Sequence, residues 1–276
     1  MRQGRRGPRT VRLWGVLWLA VALAATASPG WARILKTRDL RTASGPLDLT
    51  LGSGFEYETD GEESEYGFPF LVEYGLTRSL QVSAEPSFAI VRRKAGGTRG
   101  GIGDLETRAT WEFVTERRHR PSLALEGTVK WPTAPRGTRG TGERDMALGG
   151  IVSKELSAFN FDLNAVYTRI GDPPGIRLQD VFEVSASLEY HLRPGSDLLL
   201  EVVTASGAGG RRGSLGSIGR FANIGGPEQG QRETEATVGL AKVFNRFLKL
   251  ELGGVLKSGP TVQTVLAWEW DFGGGQ

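Results

Sequence analysis

The chain contains no cysteine. No disulfide holds it together, and thiolate metal sites and thiol nucleophiles are excluded with it. Histidine is nearly missing too: His119 and His191 have no metal-ligand spacing. No Gly-Lys-Ser/Thr phosphate loop occurs, and GGIGDL at 100–105 lacks the third glycine of a dinucleotide fingerprint. GSLGSIG at 213–219 falls in a loop, so it has no strand-to-helix context. Ser185 or Ser187 with His191 makes a Ser/His pair only by count. These gaps argue against an enzyme and against any cofactor or metal. Past the N-terminus, no run approaches the roughly 18 apolar residues that mark a membrane helix.

The N-terminus is organised differently. Arg2, Arg5, Arg6, Arg9 and Arg12 form a basic start, the apolar run 13–25 follows, and small residues come next. This is the layout of a secretory signal peptide, with cleavage after Ala27 or Ala32 and Ala32 preferred. An uncleaved anchor is the alternative, but the run is short for one. The leader carries 5 basic and no acidic residues, so the mature chain has 29 basic against 31 acidic, net −2. The high pI belongs largely to the leader, and nucleic acid is not an expected partner.

What the mature chain has in abundance is glycine, 40 in all, and alternation. In 101–132 two arms alternate with period two. Leu105, Thr107, Ala109, Trp111 and Phe113 share one face of the first arm, opposite Asp104, Glu106, Arg108, Thr110 and Glu112. Leu123, Leu125, Gly127, Val129 and Trp131 share one face of the second, opposite Ala124, Glu126, Thr128 and Lys130. Each arm reads as a strand with one apolar and one polar side. The pattern recurs at 47–57, 65–75, 80–91, 145–156, 159–170, 180–192, 197–206, 232–243, 248–256 and 261–272.

That makes about twelve strands of roughly the length a tilted transmembrane strand needs. The links alternate between long, Gly-rich or charged ones and short ones, as in an outer-membrane barrel. Aromatics cluster near strand ends in two bands, as girdles do. The expected fold is all-β: a transmembrane up-and-down antiparallel barrel. The expected organisation is a signal peptide at 1–32, a short periplasmic N-terminal segment at 33–46, the barrel at 47–272 and a tail at 273–276. The segment 33–46 is too short for a full hatch but suits a small plug. A soluble periplasmic β-rich binding protein remains the alternative, because soluble sheets also alternate.

GIGDLETRATWEF, a polar turn, then PSLALEGTVKWPT resembles the hallmark of the meta-pathway phenol-degradation family of outer-membrane barrels. The matching positions are Gly101, Gly103, Asp104 and Leu105, then Lys130, Trp131, Pro132 and Thr133. RILKTRDLRTASGPLDLTLGSGFEYE and EYGLTRSLQV are similar to that family as well. The resemblance implies an outer-membrane channel or transporter for small solutes, hydrophobic or aromatic ones included. The family name does not show that phenol is handled. The tail after Phe272 departs from a terminal-aromatic signal for the barrel-assembly machinery, an expected partner with outer-membrane lipids and lipopolysaccharide.

The polar faces supply the candidate pore lining: Asp104, Glu106, Arg108, Glu112, Glu126, Lys130, Glu201, Glu235, Lys249, Glu251 and Glu269. Carboxylates outnumber cations there. An acidic filter favours cations and neutral solutes; alternatively the charges satisfy one another inside a plugged lumen. Arg92, Arg93, Arg99, Arg136, Arg139, Arg144, Arg211, Arg212 and Arg220 in the long links either meet lipopolysaccharide phosphates or fold inward. A structural or adhesion barrel without transport is the runner-up.

Overall fold

The computed structural model describes residues 35, 37, 40, 46–59, 63–94, 96–134, 142–173, 178–206, 233–245, 248–257 and 262–271. The expected signal peptide with its cleavage site, the tail 273–276 and most of the longest link lie outside the described residues.

Fourteen strand segments run through the chain: β1 (Leu49–Thr59), β2 (Glu63–Gly75), β3 (Leu80–Glu85), β4 (Ser87–Arg93), β5 (Gly97–Ile102), β6 (Leu105–Val114), β7 (Ser122–Trp131), β8 (Asp145–Leu156), β9 (Phe159–Arg169), β10 (Val181–Arg193), β11 (Ser196–Ala205), β12 (Glu233–Asn245), β13 (Leu248–Lys257) and β14 (Val262–Asp271). Neighbouring strands pair antiparallel in the order β1-β14-β13-β12-β11-β10-β9-β8-β7-β6-β3-β2-β4-β5, and β1 pairs with both β2 and β14, which closes the wall. The closed wall has twelve staves, because β3 with β4 and β5 with β6 each make one.

The two divided staves explain where sequence and structure differ. The pattern at 80–91 reads as one strand, and Pro86 interrupts it. Proline has no N–H for the ladder. Yet β2 pairs through the break in unchanged register, from Val72↔Ala84 to Pro69↔Ser87, and the Phe70 amide donates to the Pro86 carbonyl at 3.1 Å. The basic, Gly-rich stretch 92–101 reads as a loop, yet residues 97–102 form a strand. It is β5, paired antiparallel with β4. Between β5 and β6 the register slips. Glu85 faces Glu106 and Phe88 faces Ile102, so two residues of one stave oppose three of the other. That extra residue is a β-bulge, and it reverses which face a given parity presents. Gly103 sits in it, donating to the Ser87 carbonyl at 2.9 Å. A Cβ there would come within 2.2 Å of Ser87 Oγ.

The barrel is inverted relative to a soluble protein. Trp111, Phe113, Leu148, Phe182, Val202, Val238, Leu240 and Leu252 are exposed on its outside. Their strand neighbours Thr110, Glu126, Asp162, Glu201, Glu235 and Glu251 are buried inside. Among the described residues an apolar exterior lies over a polar interior, the arrangement that lipid requires, and the pairing of β1 with β14 closes the sheet. The alternative of a soluble binding protein is thereby corrected. Aromatic contacts mark both ends. Phe55, Tyr57, Tyr66, Phe68 and Phe88 form a chain of rings 5.2–6.4 Å apart toward the long-link end. Trp111 meets Phe113, and Phe159 stacks on Tyr190 at 4.8 Å, toward the short-link end.

Candidate functional site

Because alternate side chains of every stave point inward, the lumen wall is a mosaic set by strand register. Among the described residues it buries thirteen carboxylates: Glu56, Glu58, Glu65, Glu73, Glu85, Glu126, Asp145, Asp162, Glu183, Asp197, Glu201, Glu235 and Glu251. The buried cations are three: Arg108, Lys130 and Lys249. A wide aqueous pore would leave these groups open to water, but Asp145, Glu235 and Glu251 are only 1–2% exposed. These groups are therefore shielded from bulk water inside a barrel smaller than a 16–18-stranded porin.

The first grouping lies on β3, β6 and β7. Arg108 forms an ion pair with Glu85, approaches Glu126 at 3.0 Å and lies 3.9 Å from Glu106. Its Nε also donates to Thr128 at 3.2 Å, while Thr110 donates to Glu126 at 3.2 Å. The register makes this cluster. Arg108 stands opposite Ser83 on one side and Thr128 on the other, small residues that leave it room to reach carboxylates one pleat away.

The second grouping lies toward the long-link end. Lys130 bridges Asp145 and Asp104, the latter at 3.7 Å. Asp104 also accepts the Ala134 amide at 3.0 Å, and Asp145 accepts the Gly171 amide at 2.8 Å. Thr133 Oγ1 accepts the Leu105 amide at 2.8 Å and donates to the Gly103 carbonyl at 3.3 Å. The glycine–aspartate motif and the lysine–proline–threonine motif, joined by contacts that span up to 30 positions of chain, thus meet at one junction above the bulge. Outside it, the Arg144 guanidinium lies over the Trp131 ring at 4.4 Å. At the same end Asp180 accepts from the Tyr167 hydroxyl and, at 3.1 Å, from the Ile170 amide, which ties the 170–180 link to β9. The Tyr167 hydrogen bond is the main cause that holds the Asp180 carboxyl below its ordinary range.

The third grouping lies across the barrel. Lys249 contacts Glu251 at 2.9 Å and Glu189 at 4.0 Å. Asn160 donates to Glu189 at 3.3 Å, and His191 Nδ1 lies 2.7 Å from Asp197. Glu189, His191 and Asp197 gather ligand-type atoms, but Lys249 already supplies a cation beside them.

The sequence-derived lining residues divide among these groups. Asp104, Glu106, Arg108, Glu126 and Lys130 come together on β6 and β7 and their approach. Lys249 and Glu251 meet on β13, and Glu201 and Glu235 are buried on β11 and β12. Glu112 is half-buried beside the register shift in β6, away from the Arg108 cluster. Glu269 stands opposite Lys249 and Gly52 in register. Glu56, Glu58, Glu65, Asp145 and Asp197 were not legible as lining residues. Glu56 and Glu58 alternate with Phe55 and Tyr57, which is the signal that could have found them.

Neither a family model nor a curated protein sequence matches the chain. Solved structures do. The COG4313 outer membrane channel from Pseudomonas putida F1 superposes with a TM-score of 0.60 at 16% identity, over 83% of this chain and 97% of that one. The NanC porin gives 0.55 at 10% identity, over 80% and 98%. The KdgM porin in complex with disordered oligogalacturonate gives 0.50 at 7% identity, over 79% and 98%. The fold is that of an outer-membrane channel barrel. At these identities the likeness speaks for the fold, and the lumen chemistry must be argued from this chain's own residues.

Proposed function

We propose that this barrel is an outer-membrane channel that passes small cationic or neutral solutes, aromatic ones included, along a narrow acidic lumen. The observation that carries the reading is that, among the described residues, buried inward carboxylates outnumber buried inward cations. Fixed negative charge inside low-dielectric walls raises the local concentration of cations and opposes anions. The fold likeness to channel barrels supports transport over adhesion. The junction of Asp104, Lys130 and Thr133 supports the resemblance to the meta-pathway family, since both its motifs serve one structural joint.

Salt gradients across a planar bilayer test this. The reversal potential is expected to show cation preference, weakened by Glu251→Gln and Glu235→Gln together. Anion preference would overturn the acidic-filter reading. No current from correctly folded protein in any salt would favour a structural barrel instead.

A further inference from the structure

The outside of β7–β9, at the long-link end, carries a grouping that the lumen does not use. Trp131 ends β7, and its indole N–H donates to Thr107 Oγ1 at 2.8 Å, which fixes the ring. The Arg144 guanidinium lies over that ring, 4.4 Å from its centroid. Arg169 ends β9 and stands opposite Met146 in register. Arg144, Met146 and Arg169 are exposed, while Asp145 and Thr168 beside them are buried, so the three share the outward face. Arg144 and Arg169 are thus diagonal neighbours on adjacent strands, about 7–8 Å apart in backbone and within reach of one another's long side chains. From sequence, Arg144 either meets lipopolysaccharide phosphates or folds inward; its face decides for the outside, and Arg169 joins it there.

Depth and chemistry both select a ligand. Trp and Tyr rings of a membrane barrel sit at the headgroup level. Arg144 rests on Trp131, and Arg169 follows Tyr167 on the same face toward the long link. Both guanidiniums therefore stand at the height of lipid phosphates. Below them Met146, Leu148, Tyr167 and Phe182 are 49–64% exposed, a shelf for acyl chains. Among the described residues neither guanidinium has an ion-pair partner. Asp180, within electrostatic reach of Arg169, is held instead by the Tyr167 hydroxyl and the Ile170 amide. A planar guanidinium matches phosphate oxygens two at a time, which an ammonium cannot do. The Trp131 platform also restricts Arg144 beforehand, which lowers the ordering cost of binding.

We propose that Arg144 and Arg169 clamp one phosphate of lipid A, the phosphorylated glycolipid anchor of lipopolysaccharide, with its acyl chains lying along the shelf from Met146 to Phe182. Trp131 is a positioning residue that acts through Arg144. The clamp belongs to the outer wall and stands whether or not the lumen conducts, so it goes beyond the channel reading.

The full chain in detergent micelles is titrated with lipid A, with dephosphorylated lipid A and with inorganic phosphate, and bound lipid is counted by native mass spectrometry. Lipid A is expected to bind, and removal of its phosphates to weaken binding by roughly tenfold or more, the scale of hydrogen bonds to a charged group. Arg144→Gln with Arg169→Gln is expected to cause a loss of similar size. Each single change is expected to fall between the double variant and the native chain, so the result does not depend on the double variant's folding. Arg118→Gln, an exposed arginine in the β6–β7 link at the short-link end, makes the same charge change and is expected to leave affinity unaltered. Native affinity in the Arg144 and Arg169 variants, or an equal loss in Arg118→Gln, would overturn the clamp. Displacement of lipid A by millimolar inorganic phosphate would overturn the lipid as its occupant. Each of these outcomes leaves the channel reading standing, since none depends on current.

Discussion

Replacing Arg108 with methionine is expected to cost the barrel about 3–5 kcal/mol, the scale of breaking a buried ion pair by removing one partner. The reason is the company that Arg108 keeps. Its side chain is 2% exposed, and Glu85, Glu106 and Glu126 all approach it. Without the guanidinium, these carboxylates face one another on adjacent strands with little water to screen them, since Glu85 and Glu126 are themselves 8% exposed. A surface ion pair would contribute no more than about 1 kcal/mol, so the size of the loss discriminates. Urea unfolding in lipid vesicles, followed by the folded-to-unfolded shift on unheated gels, measures it. Adding Glu85→Gln and Glu126→Gln to Arg108→Met should recover most of the loss. A loss below about 1 kcal/mol would mean that the cluster is hydrated and the lumen wider than described.

The second large effect is on the outside. Val238→Arg, midway along β12 on the exposed face, is expected to destabilise the barrel by about 2–4 kcal/mol in a bilayer. The same change at Leu256, one residue from the end of β13, is expected to cost about 0–1 kcal/mol. Both side chains are well exposed, 49% and 69%. In water, substitutions at such positions usually stay within about 0.5 kcal/mol. Only a hydrocarbon layer makes the cost depend on depth, so equal effects at the two sites would count against membrane insertion.

Much of this was legible in the sequence. Asp145–Leu156 appears in the structure with the bounds that its alternation implies, and β9, β10, β11, β13 and β14 differ by one residue at their ends. A strand with one side in lipid and one in a polar lumen must alternate strictly, so its pattern is nearly unambiguous. The faces assigned to the 101–132 hairpin hold as well: Ala109, Trp111, Phe113, Leu125 and Gly127 are exposed, and Arg108, Thr110, Glu126, Thr128 and Lys130 are buried. The misreadings share one cause. β5 pairs with β4 without side-chain alternation, and the bulge at Gly103 reverses parity, so no fixed period runs through it.

The sequence alone determined the inverted barrel: its twelve or so staves, its apolar exterior and its polar interior. All of these follow from a period-two pattern that is local to each strand. Partnerships between staves are a different matter. That Arg108 finds Glu85 as well as Glu126, and that Thr37 finds Glu201, depends on register and closure across 23 and 164 positions of chain. No local period encodes such a distance. Only the closed ring brings Leu35 and Leu40 each against a separate apolar patch of the wall.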